Sequence, residues 1–276
     1  MIKFSHTVFA LPFAMSAVVF AWQTHVPTLW ELLYILIAMV GARSAAMGFN
    51  RIVDADIDRI NPRTAIREIP AGILSAKEAL VFVGISCVVF VGAAAMLSPL
   101  CFWLSFPVLF VLFFYSYTKR FTPYCHLVLG FAISLAPVGA WVAVTGTLNW
   151  GILFLAAALW LYIAGFDILY ACQDIGFDKE QGLFSLPVFL GPDRAMQVSS
   201  LLHLIFLGFL LAVHVSFNMH AVFLLFWAAI AVLIFLEHRL VRPDDLSRIH
   251  VAFFHINSAV SLTLFAGILI QTFFRV

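Results

Sequence analysis

Residues 29–49, LWELLYILIAMVGARSAAMGF, run without a break into residues 50–72, NRIVDADIDRINPRTAIREIPAG. The first stretch is uncharged apart from Glu31 and Arg43. The second crowds Arg51, Asp54, Asp56, Asp58, Arg59, Arg63, Arg67 and Glu68 into a short space, and residues 80–97 behind it carry no charge at all. About 20 apolar residues in helical form cross the hydrocarbon core of a bilayer. The junction at Asn50 is therefore the point where a helix leaves lipid.

Working outward, the same alternation repeats along all 276 residues. Apolar runs fall near residues 4–22, 29–49, 79–97, 100–117, 127–145, 150–166, 196–217, 221–236 and 251–274. They predict an all-α integral membrane protein, a single domain over 1–276 of about nine transmembrane helices around a central cavity open to the cytoplasmic side. Helices satisfy their own backbone groups in lipid, which makes this class the natural one. Composition agrees, with 64% hydrophobic and 11% charged residues, against about 25% charged in a soluble domain. The N-terminal run lacks a small-x-small cleavage signal and reads as the first span. A net charge of +1 gives no reason to expect nucleic acid. Cys87, Cys101, Cys125 and Cys172 are scattered through apolar runs with no CxxC pair and read as small hydrophobes.

Lysine and arginine set the orientation. All 15 except Arg43, inside the second span, and Arg275, at the end, fall before span one or after spans two, four, six and eight. The opposite connections have none. The positive-inside rule places the charged ends in the cytoplasm of an inner-membrane protein.

Two acidic clusters lie at that face. Asn50, Asp54 and Asp58 are four apart and share one side of a continuing helix. Asp174 and Asp178 repeat the spacing, and Asp167 lies two turns before Asp174. Like charges stacked in this way are most comfortable with a cation between them, and all-oxygen donors suit Mg2+ that keeps positions open for a substrate phosphate. Arg63 and Arg67 follow the first cluster at i, i+4, and Lys119 and Arg120 end the fourth span; these could clamp a diphosphate. For Arg120, anchoring at the membrane surface is sufficient reason. Solvated loops with Asp–Arg pairs are the plainer alternative to a metal site. Arg43, seven residues before Asn50, should face the cavity and meet an anionic substrate group such as a carboxylate, or an acid such as Asp167. The histidines suggest no ligand set: His203, His214 and His220 lie along or after one helix, His250 and His255 near another.

Asn-x3-Asp-x3-Asp closing one helix and Asp-x6-Asp-x3-Asp closing another resemble the UbiA superfamily of intramembrane aromatic prenyltransferases. NPRTAIREIPAG, YSYTKRFT, LAPVGAWVAVTG and YACQDIGFDKEQGLFSLP look similar as well, so the likeness runs through Gly191. Arg51 stands where many members have Asp, and REIP resembles the menaquinone (futalosine-branch) relatives more than the 4-hydroxybenzoate enzymes. The resemblance implies Mg2+ held by Asn50, Asp54, Asp58, Asp174 and Asp178. It implies a polyprenyl diphosphate ionised with help from Lys119, Arg63 and Arg67, and an aromatic acid acceptor, 4-hydroxybenzoate or 1,4-dihydroxy-6-naphthoate. Asp54, Asp174 and Lys119 would act on the leaving group, and Asp167 would orient the acceptor hydroxyl or take a proton. Of the aromatics near the motifs (Phe49, Tyr115, Tyr117, Phe166 and Tyr170), Tyr115 and Tyr170 are the best candidates to face the allylic cation. A secondary transporter with a charged intramembrane site, and a non-catalytic assembly subunit, are the rival readings.

Overall fold

The computed structural model describes residues 7–274 apart from 244 and 250. Lys3, His250, Arg275 and the start of the first expected span lie outside these residues. The described chain is helical, and its only bridge between extended residues joins Arg242 to Asp245. The long helices are α1 (Thr7–Ala21), α2 (Leu29–Val53), α4 (Ala76–Leu97), α5 (Pro99–Thr118), α6 (Cys125–Thr145), α7 (Trp150–Ala171), α10 (Pro192–Ser216), α11 (Phe223–Leu240) and α12 (Asn257–Thr272). Short helices α3 (Ala55–Ile60), α8 (Ile175–Glu180) and α9 (Leu186–Leu190) sit in the charged connections. Eight stretches are long and apolar enough to cross a membrane; α1 is a ninth apolar helix, shorter over its described part.

Capping groups, rather than hydropathy alone, decide where several helices begin. Ser75 and Glu78 form a reciprocal capping box, so α4 starts three residues earlier than its apolar run. Thr28 and Glu31 do the same for α2. Asn149 caps α7 by accepting from the Ile152 N–H at 2.9 Å. The last span opens with a π-helical stretch, Val251–Ile256, before settling into α12.

α7 is the central post. Ile152, Leu155, Leu159, Tyr162 and Ile163 are fully buried, and the helix packs against α6 on one side and α10 on the other. The outer surface is apolar: Leu29 is 79% exposed, Val88 73% and Trp150 73%. In water such a surface would drive aggregation, whereas in a bilayer it faces its own solvent.

The α6–α7 contact depends on Gly130. A Cβ there would lie 2.3 Å from the Trp160 backbone oxygen, and the same contact is tied by the Trp160 indole N–H, which donates to the Leu127 oxygen at 2.7 Å. The neighbouring atom is backbone and cannot rotate away. Gly130→Ala is expected to destabilise the fold by about 1–3 kcal/mol, read as a lower unfolding temperature in detergent. An unchanged transition would mean that the helices can part without cost.

Candidate active site

Both acidic clusters straddle a break in a helix. α2 ends at Val53, and Asp54 takes φ −92°, ψ 2° before α3 resumes. Asp174 takes φ −102°, ψ 5° between a single 3-10 turn, Cys172–Asp174, and α8. The first break does not destroy the register, because the Asp54 N–H donates to the Asn50 oxygen at 2.9 Å and the Asp58 N–H to the Asp54 oxygen at 2.7 Å. Asn50, Asp54 and Asp58 thus keep a common side, although the helix beneath them pauses.

The ends of α2, α5 and α7, the start of α6 and the short helices α3 and α8 surround one cavity of about 220 Å³. Asn50, Asp54, Asp58, Arg63, Arg67, Tyr115, Lys119, Asp167, Tyr170, Asp174 and Asp178 all line it, and Arg43 and Arg120 do not. Arg43 is half-buried further along α2, two turns from Asn50. Phe49, Tyr117 and Phe166 are likewise absent from the lining. Phe49 stacks on Phe113 at 4.3 Å and Phe166 meets Phe253 edge-on at 5.2 Å.

Each wall pairs its acids with bases. Asp54, 3% exposed, takes a contact from the Lys119 ammonium at 2.8 Å and a hydrogen bond from the Asn50 amide at 3.1 Å. Asp58, also 3% exposed, receives Arg67 Nη1 on both carboxylate oxygens at 2.7 and 2.6 Å. Arg63 reaches across the cavity to Asp174, donating from Nε at 3.0 Å and from its second terminal nitrogen, and it also donates to the Tyr170 hydroxyl at 3.1 Å. Burial works against the charged guanidinium of Arg63, but the hydrogen bond and charge of Asp174 outweigh it and raise its pKa. This long-range pair shows the two motifs facing each other across one space.

The lining holds five carboxylates, Asp54, Asp58, Asp167, Asp174 and Asp178, against three permanent cations, Arg63, Arg67 and Lys119. Arg51 and Arg120 stand at its edge, 4.0 Å from Asp58 and 3.7 Å from Asp54, and His126 meets Asp167. Asp54 Oδ1 is buried and accepts no hydrogen bond, with Arg120 no nearer than 3.7 Å. Five carboxylates around one space, one of them with an oxygen that accepts no hydrogen bond, fit a hard dication such as Mg2+. Arg120 itself donates to the Val53 oxygen at 2.5 Å, closing the end of α2, a more specific task than surface anchoring.

His126 escaped the sequence reading. It sits in the first turn of α6, 3% exposed, with Nδ1 2.7 Å from Asp167 Oδ2 and Nε2 accepting from the Leu186 N–H at 3.4 Å. Nothing in the spacing links residues 126 and 167; they meet because Gly130 lets α6 lie close to α7. Of the described histidines named in the sequence reading, His203 alone joins a cluster of possible ligands. His203 and His238 converge with Glu237, from α10 and α11, away from this cavity. Helices that run side by side bring together residues 35 apart, and no sequence period reports that.

The UbiA prenyltransferase family model matches residues 10–259. The 4-hydroxybenzoate octaprenyltransferase of Nitrosomonas europaea is 32% identical over 268 residues, 90% of this chain and 89% of that protein. That of Nitrosospira multiformis is 32% identical over 251 residues, 91% and 86% of the two chains. Among solved structures, the apo structure of a UbiA homolog from Aeropyrum pernix K1 superposes with a TM-score of 0.88 at 32% identity, covering 99% of this chain and 100% of that one. A UbiA homolog from Archaeoglobus fulgidus bound to GPP and Mg2+ shares the fold, with a TM-score of 0.71 at 19% identity over 96% and 97% of the two chains.

Proposed function

Because the chain belongs to the UbiA prenyltransferase family, we propose that it transfers a polyprenyl group from an allylic diphosphate to a ring carbon of an aromatic hydroxy acid, 4-hydroxybenzoate or a dihydroxynaphthoate. We place it in the inner membrane with the cavity opening to the cytoplasm, as the clustering of lysine and arginine at one end supports. The observation that carries this reading is the pair of acidic motifs facing each other across one cavity, bridged by Arg63 and Asp174.

In the free protein Arg63, Arg67 and Lys119 are held by Asp174, Asp58 and Asp54. An entering diphosphate offers those cations oxygens of higher charge, and the exchange frees the carboxylates. Mg2+ held by Asn50, Asp54, Asp58, Asp174 and Asp178 would neutralise the leaving diphosphate as its C–O bond breaks. Lys119 and the two arginines take up charge growing on the departing oxygen, in positions already set by their aspartate partners. Tyr115 and Tyr170, the aromatic candidates that line the cavity, offer ring faces to the allylic cation. The Asp167–His126 pair on the opposite wall orients the acceptor hydroxyl and receives the proton lost when the ring is prenylated. The prenyl tail stays in the bilayer, to which the apolar flanks of the bundle are open.

The test offers purified protein, Mg2+ and geranyl diphosphate with 4-hydroxybenzoate and, separately, with 1,4-dihydroxy-6-naphthoate. One acceptor is expected to gain the mass of a geranyl group, and that product names the substrate. No product with either acid would contradict the proposal. Arg43 is assigned to the acceptor carboxylate deeper along α2. Arg43→Ala is expected to raise the acceptor KM about 10-fold, the loss of one charged hydrogen bond of about 1.5 kcal/mol, with the diphosphate KM unchanged. An effect confined to the diphosphate would reassign the residue.

A further inference from the structure

We propose that His203, Glu237 and His238 form a second metal site, for a transition-metal dication of the zinc class, buried between α10 and α11 and separate from the acidic cavity. His203 Nδ1 lies 2.9 Å from His238 Nε2 and 3.6 Å from Glu237 Oε2, and one ligand atom from each residue falls within 4.8 Å of the others. Nitrogen and oxygen ligands about 2.0–2.1 Å from a tetrahedral ion stand roughly 3.3 Å apart, and the two separations from His203 bracket that value. Two imidazoles and one carboxylate are a donor mixture that favours zinc over Mg2+.

Proton bookkeeping points the same way. The Tyr162 carbonyl can only accept, so His203 Nε2, 3.2 Å away, carries the ring proton. That leaves the Nδ1 lone pair directed at the other two residues. A proton shared between the rings satisfies His203 Nδ1 and His238 Nε2 but leaves Glu237 Oε2 without a hydrogen-bond partner, in a side chain 1% exposed. Among the described residues no lysine or arginine pairs with Glu237. The Asn257 side chain hydrogen-bonds Glu237, so Oε2 alone is left facing His203, and a dication between the three groups would offset the cost of burying that charge.

The surroundings are arranged as outer-shell support. The Tyr162 carbonyl fixes the His203 tautomer, and Ser200 Oγ lies 3.2 Å from His238 Nδ1. His203 is seated on α7 where Gly165 has no side chain; a Cβ there would lie 2.4 Å from Nε2. His238 is only half-buried, which leaves a way in from the end of α11. An ion here would staple α10 to α11 behind the central helix.

The test uses the full chain in detergent, stripped with chelator and then titrated with Co2+ in excess Mg2+, which occupies oxygen-donor sites. One equivalent of Co2+ is expected to bind with the intense visible bands of four-coordinate cobalt, to be displaced by Zn2+, and to raise the unfolding temperature. Glu237→Gln and His238→Ala are each expected to weaken this binding by at least about 100-fold, the upper end of what losing even an outer-shell partner costs. Asp54→Asn should leave it unchanged. Absence of the bands in the unmodified chain, or their persistence in His238→Ala, would overturn the proposal. An infrared carboxylic-acid band present without metal uptake and lost in Glu237→Gln would overturn it in favour of a protonated Glu237 bonded to His203.

Discussion

Asp54→Asn is expected to lower turnover by about 10³-fold in protein that remains folded. Asp54 is the residue on which the first wall converges: Asn50 donates to it, Lys119 pairs with it, and its Oδ1 is buried with no hydrogen-bond donor. The amide keeps the shape and removes the charge, so the loss reports electrostatics rather than packing. Removing a single preorganised group that stabilises transition-state charge costs about 10²–10³ in kcat, and a carboxylate that also holds a dication belongs at or above the upper end. Asp174→Ala on the facing wall should fall as far. Because the walls act as one unit, the double variant should lose little more than either single one. Steady-state rates, with helix content checked by circular dichroism, measure this. Near-normal rates in both single variants would mean that the carboxylates are ordinary surface pairs.

The second large effect belongs to the far wall. Asp167→Asn is expected to reduce kcat by about 10²–10⁴-fold, the range of general acid–base catalysis, while the KM for the diphosphate stays within about 2-fold. Asp167 has no partner among the cations that meet the other acids; its contact is the buried ring of His126 at 2.7 Å. Removing its charge therefore alters acceptor orientation and proton removal, not the diphosphate clamp. His126→Ala should lower kcat in the same direction by a smaller factor, since it leaves the carboxylate present but unaligned. A rise in diphosphate KM with kcat preserved in Asp167→Asn would place this residue with the metal ligands instead.

Much of this was legible in the residues because lipid imposes strong rules. Apolar runs that must span a bilayer, and lysines and arginines confined to one side, report the helical bundle and the shared end at which the motifs meet. The spacing of Asn50, Asp54 and Asp58, and of Asp174 and Asp178, reports a common side because backbone hydrogen bonds carry the register through the break at Asp54. What escaped is lateral. His126 finds Asp167, and His203 finds Glu237 and His238, through contacts between neighbouring helices set by glycines at 130 and 165. Helical period describes one helix at a time. Arg43 illustrates the reverse: seven residues place it above Asn50, yet the cavity lining stops short of it. The start of α4 shifted because the Ser75 cap, rather than apolarity, decides its first turn.

Calorimetric binding of geranyl thiolodiphosphate, which keeps the charge of the substrate but resists ionisation, tests most directly whether the facing carboxylates hold a dication that in turn holds diphosphate. Binding is expected in Mg2+, to be lost in chelator, and to be lost in Asp54→Asn and Asp174→Asn even when Mg2+ is present. Equal affinity in chelator and in Mg2+, unchanged by either substitution, would show that the arginines and Lys119 bind the diphosphate alone and would contradict the account.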